Sequence, residues 1–430
     1  MKKINFITLG CSKNVVDSEH LMAQAEAAGY DVEFDSDSLD AEVVVINTCG
    51  FIGDAKEESI EMILQAASAK EEGLLSELYV VGCLSERYAD ELRDEIPEVD
   101  QYFGVKDWAA VIEALGGKHH KEHETTRVVT TPEHYAFLKI SEGCDWKCGY
   151  CAIPLIRGRH ISVPFEDILT EAEALAAKGV RELIVIAQDT TYYGVDLYGR
   201  RRLAELLTEL CKIEGVEWIR LHYAYPTGFP DDVIEVMARE PKICKYLDIP
   251  LQHISDNMLS SMKRRHTKAD AYNLVERLRR AIPDIAIRTT MLVGYPGESE
   301  ADFEELLQFV SDVRFERLGV FPYSPEEGTY SAEKLSDDVP QEVKESRVER
   351  IMMLQNQISF ELNENRVGKE VEVVIDSLQG DYYVARSQYD SPDVDCEILI
   401  PCEDVELEEG KFYSVEITAA EEYDLYAKLK

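Results

Sequence analysis

Short apolar segments that alternate with helical periodicity constrain the fold of this chain more than any other feature. Near the start, the runs INFITLG, AEVVVINT and ELYVVG are each followed by apolar residues spaced three to four positions apart. Parallel strands need crossover connections, and helices usually provide them. The pattern therefore predicts an N-terminal parallel α/β domain over residues 1–116, with helices on both faces of its sheet.

The same alternation resumes after a polar stretch, residues 117–133, which we interpret as a solvated linker. We assign its histidines, His119, His120 and His123, no role. Six further strand segments follow, FLKI, ELIVIAQD, WIRLHYAY, KYLDIPLQ, IAIRTTMLVG and RLGVFPYS, with helical patterns between most of them. They predict a (βα)6 partial TIM barrel which, with the long helical stretch after it, spans residues 134–365. Its chemistry is expected at the C-terminal ends of the strands.

The last segment, residues 366–430, changes character. Its short runs are rich in Val, Ile and Tyr and are separated by turn signals, which predicts a small all-β barrel. The fold class is therefore α/β multidomain with a C-terminal β-barrel. This segment carries 6 Lys and Arg residues against 17 Asp and Glu residues.

Charge and composition narrow the function classes. The chain has 45 basic and 84 acidic residues among 430, a balance that opposes nonspecific binding to a phosphate backbone and favours a basic partner. No apolar run reaches the length of a membrane span, and Asn5 and Thr8 interrupt the apolar start too early for a secretory signal. We expect a soluble cytoplasmic protein, whose ten cysteines are thiols or metal ligands rather than disulfides.

Three cysteines at a C-x3-C-x2-C spacing follow the first barrel strand: Cys144, Cys148 and Cys151. Three thiolates can hold a 4Fe-4S cluster by three of its irons and leave the fourth iron free for a small molecule. The alternative is a zinc knuckle that takes a fourth ligand from elsewhere, such as His160.

Three other cysteines, Cys11, Cys49 and Cys83, each follow an apolar strand of the N-terminal domain directly. The C-terminal edge of a parallel sheet is where such folds gather ligands, so these thiols predict a second cluster. Alternatively, each is a buried, inert cysteine. For the remaining cysteines we expect only packing roles: Cys211, Cys244, Cys396 and Cys402.

The segment CDWKCGYC resembles the signature of the radical S-adenosylmethionine superfamily. Together with LGCSKNVVDSE, NTCGFIGDAKEESI and AQDTTYYGVDLYG, it makes the whole chain resemble the methylthiotransferase family. Within that family it is similar to the branch that modifies an aspartate of the twelfth small-subunit ribosomal protein. The branch that modifies tRNA adenosine typically starts GCQMN, where this chain has GCSKN.

The resemblance implies two 4Fe-4S clusters and a C-terminal TRAM domain. It also implies two uses of S-adenosylmethionine, one to methylate a sulfur and one to form a 5′-deoxyadenosyl radical that abstracts hydrogen from the β-carbon of the aspartate. The implied partners are the ribosomal protein or the assembling small subunit, with an electron donor such as flavodoxin or ferredoxin. The acidic last domain makes direct tRNA binding unfavourable. A tRNA methylthiotransferase and a noncatalytic zinc-binding protein are the rival hypotheses.

Polar residues at later strand ends are the candidate contacts to S-adenosylmethionine. Gly294, Pro296 and Glu298 resemble the superfamily's adenine-supporting segment, but a Gly-Pro turn is an equal alternative. Arg157 and Arg159, just after the cluster loop, contact either the substrate or surface acids. Arg265, in the run SMKRRHT, is a candidate for the carboxylate of S-adenosylmethionine, and a solvated helix end is the alternative. The candidate cofactor-binding residues are Gln188, Asp189, Gln252, Ser255, Arg265, Gly294 and Glu298.

Overall fold

A computed structural model of the chain describes residues 2–36, 41–121, 124–403 and 405–430. It contains a five-stranded sheet, a six-stranded sheet with a small two-stranded ribbon beside it, and a closed five-stranded barrel, in that order along the chain. The predicted α/β multidomain class with a C-terminal β-barrel is confirmed.

The N-terminal sheet is entirely parallel, with strand order β2-β1-β3-β4-β5. Its strands are β1 (Lys3–Thr8), β2 (Asp31–Phe34), β3 (Val43–Thr48), β4 (Glu77–Gly82) and β5 (Gln101–Tyr102). Its helices are α1 (Ser12–Ala27), α2 (Gly53–Glu71), α3 (Cys83–Glu95) and α4 (Trp108–Ala114). Sequence reasoning missed β2 and β5 because they are short edge strands without a fully buried apolar run.

Helices cover both faces of this sheet, as predicted. Val44, Ile46 and Val80 pack against α2 and α3, while Val43 and Val45 pack against α1 and α4. Alternate residues of a strand point to opposite faces, so a strand covered on both sides is apolar throughout. This explains why Val43–Thr48 is completely buried.

The middle sheet is the predicted (βα)6 partial barrel, with its six parallel strands in the order β13-β12-β11-β10-β9-β6. The strands of this region are β6 (Tyr135–Lys139), β7 (Ser141–Glu142), β8 (Ile161–Ser162), β9 (Glu182–Ile186), β10 (Trp218–Leu221), β11 (Ile243–Asp248), β12 (Ala286–Val293) and β13 (Arg317–Pro322). Its helices are α5 (Ile153–Ile156), α6 (Phe165–Ala177), α7 (Val195–Tyr198), α8 (Leu203–Leu210), α9 (Asp231–Arg239), α10 (Asp256–Ser261), α11 (Lys268–Ala281), α12 (Glu300–Val313), α13 (Tyr330–Lys334) and α14 (Gln341–Glu364).

Local chemistry explains where two of these helices begin. Thr267 and Ser299 each accept a hydrogen bond from the backbone three residues on, and Asp270 and Asp302 return one, which completes two capping boxes. Cys244 lies inside β11 and is buried. That position agrees with the packing role expected for it.

The open edge of the partial barrel is in contact with the N-terminal domain. Val16 of α1 packs with Tyr135, Ile184 and Ile186 of the barrel strands. The joining stretch, residues 117–133, is not solvated throughout, because Arg127 is 2% exposed and pairs with Glu19 and Glu171. His123 lies outside the described residues.

The C-terminal strands form a closed barrel in the order β14-β15-β16-β18-β17. They are β14 (Glu370–Gln379), β15 (Tyr382–Ser387), β16 (Ile398–Pro401), β17 (Phe412–Ala420) and β18 (Leu425–Leu429). Buried ion pairs join this barrel to the middle region, such as Arg386 with Glu182 and Arg317 with Asp390. Across the described ranges, no helix combines the length and the apolar character that a membrane crossing requires.

Candidate active site

The C-x3-C-x2-C cysteines lie between β7 and α5, at the C-terminal ends of the barrel strands. The backbone N–H of Cys144 donates to Gly158 O at 3.0 Å, and that of Gly149 donates to Met262 O at 2.8 Å. Gly143 has φ +73°, and a Cβ there would overlap the carbonyl of Arg159. The loop is therefore held from three sides, and glycine is required where it turns.

Aromatic and cationic side chains surround Cys148. Its Sγ lies 3.7 Å from Tyr225 Oη and 3.7 Å from Arg264 Nη1. Tyr225 stacks on Trp146 of the cysteine loop, with ring centres 4.3 Å apart. The Arg264 guanidinium lies 4.3 Å from the Tyr225 ring centre, and its Nη2 donates to Pro250 O at 2.6 Å.

Burial raises the pKa of the Cys144 thiol to about 12 and raises that of Cys151 above its usual value. In the protein alone these groups are therefore neutral thiols. A metal that binds them must displace their protons.

The second triad assembles at the C-terminal edge of the N-terminal sheet. Cys11 caps α1, Cys49 follows β3, and Cys83 is the first residue of α3. A Cβ placed on Gly10 would lie 2.7 Å from Cys49 Cβ, and one placed on Gly50 would lie 2.7 Å from the Cys83 backbone. Glycines thus let the three strand ends approach one another closely.

Asn14 ties these strand ends together. Its Nδ2 donates to Leu9 O at 2.8 Å and to Thr48 O at 3.0 Å, while its Oδ1 lies 3.7 Å from Cys83 Sγ. Burial raises the pKa of Cys83 to about 12, and the nearby charges of Cys11 and Cys49 add to that rise. The fold thus brings the strand ends that carry Cys11, Cys49 and Cys83 close to one another, and their role as ligands of one cluster stays a prediction.

The ligand sets of the two triads stay a prediction. All six cysteines are free of disulfides. Within the described part of the chain, no three His, Cys, Asp or Glu side chains lie close enough together to hold one metal ion. His160, the fourth ligand of the zinc alternative, instead places its Nε2 3.0 Å from Ser162 Oγ. A 4Fe-4S cluster held by three thiolates on three of its irons stays the prediction for both triads.

Arg157 connects the two triads. It is 2% exposed, and its Nη1 donates to Asp17 and to Glu142, each at 2.9 Å. Its Nη2 donates to Asn14 Oδ1 at 2.6 Å. Burial disfavours the Glu142 carboxylate, but Lys139 and Arg157 hold its pKa well below the usual range.

A surface salt bridge is therefore the wrong interpretation for Arg157, because the side chain is buried between the two domains. Its neighbour Arg159 does lie at the surface. The Arg159 side chain is 91% exposed and lies 3.6 Å from Asp145.

The candidate contacts after β9 both face the cysteine loop. Gln188 Nε2 donates to Glu142 at 2.8 Å, and its buried Oε1 has no partner in the described residues. Asp189 accepts a hydrogen bond from Trp146 Nε1 at 2.7 Å and caps the turn at Thr191. Asp189 therefore positions Trp146 within the loop. Direct contact of these two residues with S-adenosylmethionine stays a prediction.

The candidates on later strands differ in accessibility. Gln252 adopts φ +73° and lines a cavity. Ser255 Oγ is bonded to Asp302, and Glu298 is bonded to His253, Arg347 and the N–H of Gly294. Ser255 and Glu298 are thus buried and already partnered, so their contacts indicate support of the barrel rim.

Arg265 is exposed, 5.6 Å from the Trp146 ring, whereas Arg264 is buried beside Cys148. Sequence reasoning favoured Arg265 because both arginines stand in one polar run. Lys263 has φ +57°, and this turn decides which of them points inward.

A cavity of about 340 Å³ lies between the two domains. One wall comes from residues 51–54, which follow Cys49, and the other includes Tyr150, Gln252, Met291, Phe321 and Tyr323. Tyr150 stands between Cys148 and Cys151 in sequence. One largely apolar space thus adjoins segments of both triads.

Known proteins are similar in sequence to this chain over its whole length. The Radical SAM superfamily profile matches residues 138–310, the Uncharacterized protein family UPF0004 profile matches 3–104, and the TRAM domain profile matches 367–429. The ribosomal protein uS12 methylthiotransferase RimO of Bacteroides thetaiotaomicron is 56% identical over 428 residues, which cover 100% of this chain and 98% of that protein. The protein of the same name from Christiangramia forsetii is 55% identical, covering 99% of this chain and 94% of its own.

This chain belongs to the ribosomal protein uS12 methylthiotransferase family. Solved structures agree with the fold of this family member. The radical S-adenosylmethionine methyltransferase TsrM of Kitasatospora setae matches with TM-score 0.58 at 14% identity, covering 77% of this chain and 74% of its own. The cobalamin-dependent radical enzyme OxsB matches with TM-score 0.53 at 14% identity, covering 80% of this chain and 56% of its own.

In this uS12 methylthiotransferase family member, the cysteines carry a spacing or a strand-end position that can be read in the sequence, and their role as cluster ligands stays a prediction. Arg264 and Tyr225, which approach Cys148, were missed as site residues because each reaches it from a different element. Arg157 was considered as a substrate contact or a surface ion pair, and its burial beside Asn14 was not predicted.

Proposed function

We propose that this protein methylthiolates the β-carbon of an aspartate in ribosomal protein uS12, with S-adenosylmethionine and two 4Fe-4S clusters. Cys144, Cys148 and Cys151 would hold one cluster, and Cys11, Cys49 and Cys83 the other. The observation that carries the proposal is the single cavity that adjoins segments of both triads.

The clusters and S-adenosylmethionine supply the radical and sulfur-transfer chemistry when bound, and the chain supplies position and shielding. Phe51, Tyr150 and Phe321 make the cavity wall mainly apolar, which limits water near the reacting carbon. Arg264 offers a buried guanidinium beside Cys148, and no carboxylate forms an ion pair with it in the described ranges. It is therefore better placed than Arg265 to receive the carboxylate of S-adenosylmethionine.

The C-terminal barrel favours a basic protein over tRNA. Some of its acids are used internally, since Asp390 pairs with Arg317 and Asp395 lies 3.5 Å from Arg288. Others are exposed, including Glu403, Glu406, Glu408 and Glu409. An acidic surface attracts a basic ribosomal protein and repels a phosphate backbone.

The proposal includes a cytoplasmic setting, where the ribosome is assembled and thiols stay reduced. It also includes an electron donor of the flavodoxin or ferredoxin class. Free uS12 and the assembling small subunit are both compatible with it as the form that is modified.

The deciding experiment is mass spectrometry of uS12 and of tRNA nucleosides from cells with and without this gene. We expect methylthio-aspartate to disappear from uS12 while methylthio-adenosine remains in tRNA. Loss of the tRNA modification instead would show that the substrate of this active site is tRNA. Purified protein should contain about eight irons per chain with acid-labile sulfide. Colourless protein that binds zinc without sulfide would overturn the enzymatic proposal.

A further inference from the structure

Lys13 is a buried cation without an acidic partner. It lies in the first turn of α1, two residues after Cys11, and is 7% exposed. Its Nζ lies 2.8 Å from the centre of the Tyr223 ring. No hydrogen bond or ion pair joins this Nζ to any acceptor in the part of the chain that the structure describes. The ring attracts the charge but accepts no ordinary hydrogen bond from the three N–H donors, so the site favours an incoming anion.

Neighbouring buried cations are fully paired, which makes Lys13 different from them. Lys139 contacts both Asp17 and Glu142, and Arg157 contacts the same two acids. Asp17 lies one helical turn after Lys13, yet its two oxygens are engaged by Lys139 and Arg157. Asp17 and Glu142 are thus already engaged by other cations, so an acidic partner for Lys13 would come from outside this group.

The position of Lys13 suggests which anion that is. Tyr223 follows β10, and Tyr225, two residues further on, places its Oη 3.7 Å from Cys148 Sγ. Lys13 is therefore close in sequence to Cys11 of one triad, and its contact Tyr223 is close in sequence to Tyr225, which approaches Cys148 of the other. In the proposed function the reacting β-carbon must lie between the triads, and its carboxylate is one bond away.

We propose that Lys13 binds the side-chain carboxylate of the target aspartate and so selects aspartate over asparagine. This inference rests on the proposed function and adds the residue that determines its specificity. A charge-assisted hydrogen bond forms with a carboxylate and is much weaker with a carboxamide. Because the carboxylate adjoins the reacting carbon, the same contact fixes that carbon between the clusters.

The test uses the reconstituted full chain and two synthetic uS12 peptides that differ only by Asp or Asn at the target position. Peptide affinity is measured by fluorescence anisotropy, and S-adenosylmethionine affinity by calorimetry. Lys13→Met keeps the length of the side chain and removes the charge, while Lys13→Arg keeps the charge. Lys212→Met is the matched control, because Lys212 is exposed and forms an ion pair with Glu209. Thermal melts show which variants are folded.

We expect the wild type to bind the Asp peptide about 10- to 100-fold more tightly than the Asn peptide. Lys13→Met should erase that preference, Lys13→Arg should retain part of it, and Lys212→Met should retain all of it. S-adenosylmethionine affinity should not change in any of these variants.

An unchanged Asp preference in folded Lys13→Met overturns the inference. So does a loss of S-adenosylmethionine affinity in that variant, since it would assign Lys13 to the carboxylate of the cofactor. Failure of the proposed function has a different signature, because the wild type would then methylthiolate neither peptide.

Discussion

Cys144, Cys148 and Cys151 lie in one loop, whereas Cys11, Cys49 and Cys83 come from three strand ends that are far apart in sequence. The first triad is held by backbone hydrogen bonds to its own loop and to the turn at Met262. The second depends on the parallel register of β1, β3 and β4 and on glycines that let these strand ends approach. A local triad is thus specified by spacing, and a dispersed one by topology.

Removing one cysteine from each triad should produce the largest and most different effects. Cys148→Ala should abolish both 5′-deoxyadenosine release and methylthiolation, and Cys49→Ala should stop methylthiolation while some cofactor cleavage continues. Each variant should lose about four irons per chain. Chromatography of the nucleoside product and iron analysis measure these outcomes, and full activity in both variants would contradict the two-cluster proposal.

Gly10 tests how strongly the dispersed triad depends on close approach. Gly10→Ala places a methyl group 2.7 Å from Cys49 Cβ, so we expect about half of the iron to be lost. Gly29→Ala is the matched control, since Gly29 has φ +91° against +93° for Gly10 but has no atom within 4 Å of the added Cβ. Both changes add similar backbone strain, about 1–2 kcal/mol.

The iron content of these two variants separates the effect of backbone strain from the effect of displacing Cys49. If Gly29→Ala loses as much iron as Gly10→Ala, global destabilisation accounts for the loss and the packing argument is wrong.

Substitution of Arg157 tests whether its ion pairs stabilise the contact between the two domains that carry the triads. Arg157→Met leaves Asp17 and Glu142 without one buried partner, and breaking such a pair costs about 3–5 kcal/mol. Denaturant unfolding should show that loss, and Arg159→Met should lie within about 0.5 kcal/mol of the wild type, because its side chain is exposed. Equal stability of the two variants would show that the ion pairs of Arg157 do not stabilise the fold.

Charge on the C-terminal barrel should have the smallest effect. Combined Glu406→Lys, Glu408→Lys and Glu409→Lys should slow association with uS12 a few-fold at low salt and weaken its salt dependence. The same charge change at the exposed side of α2 and at the residue that follows it, Glu61→Lys with Glu71→Lys and Glu72→Lys, serves as the control. Stopped-flow measurements at two salt concentrations give the association rates of both variants with uS12. Equal effects would show that the acidic surface of the barrel has no particular role in binding uS12.

Comparison of the predicted and observed strands shows which strands hydrophobic periodicity can identify. All six barrel strands were predicted because each contains apolar residues in a short run bounded by helical patterns or turn signals. The final stretch, residues 411–429, contains no Gly or Pro to mark a turn, yet the structure divides it into β17 and β18 at the turn near Glu421. Edge strands β2 and β5 were missed because exposure leaves them little apolar signal.

The amino-acid sequence by itself determined the order of the three domains, the parallel sheets and the six cysteines, because strand and helix periods and cysteine spacing are local properties. Only the tertiary structure decided that Arg264 rather than Arg265 faces Cys148, that Arg157 joins the triads, and that Lys13 is buried without an acid. These facts depend on side chains that meet across distant parts of the chain. Their contacts are set by the packing of one domain on another, which no local pattern records.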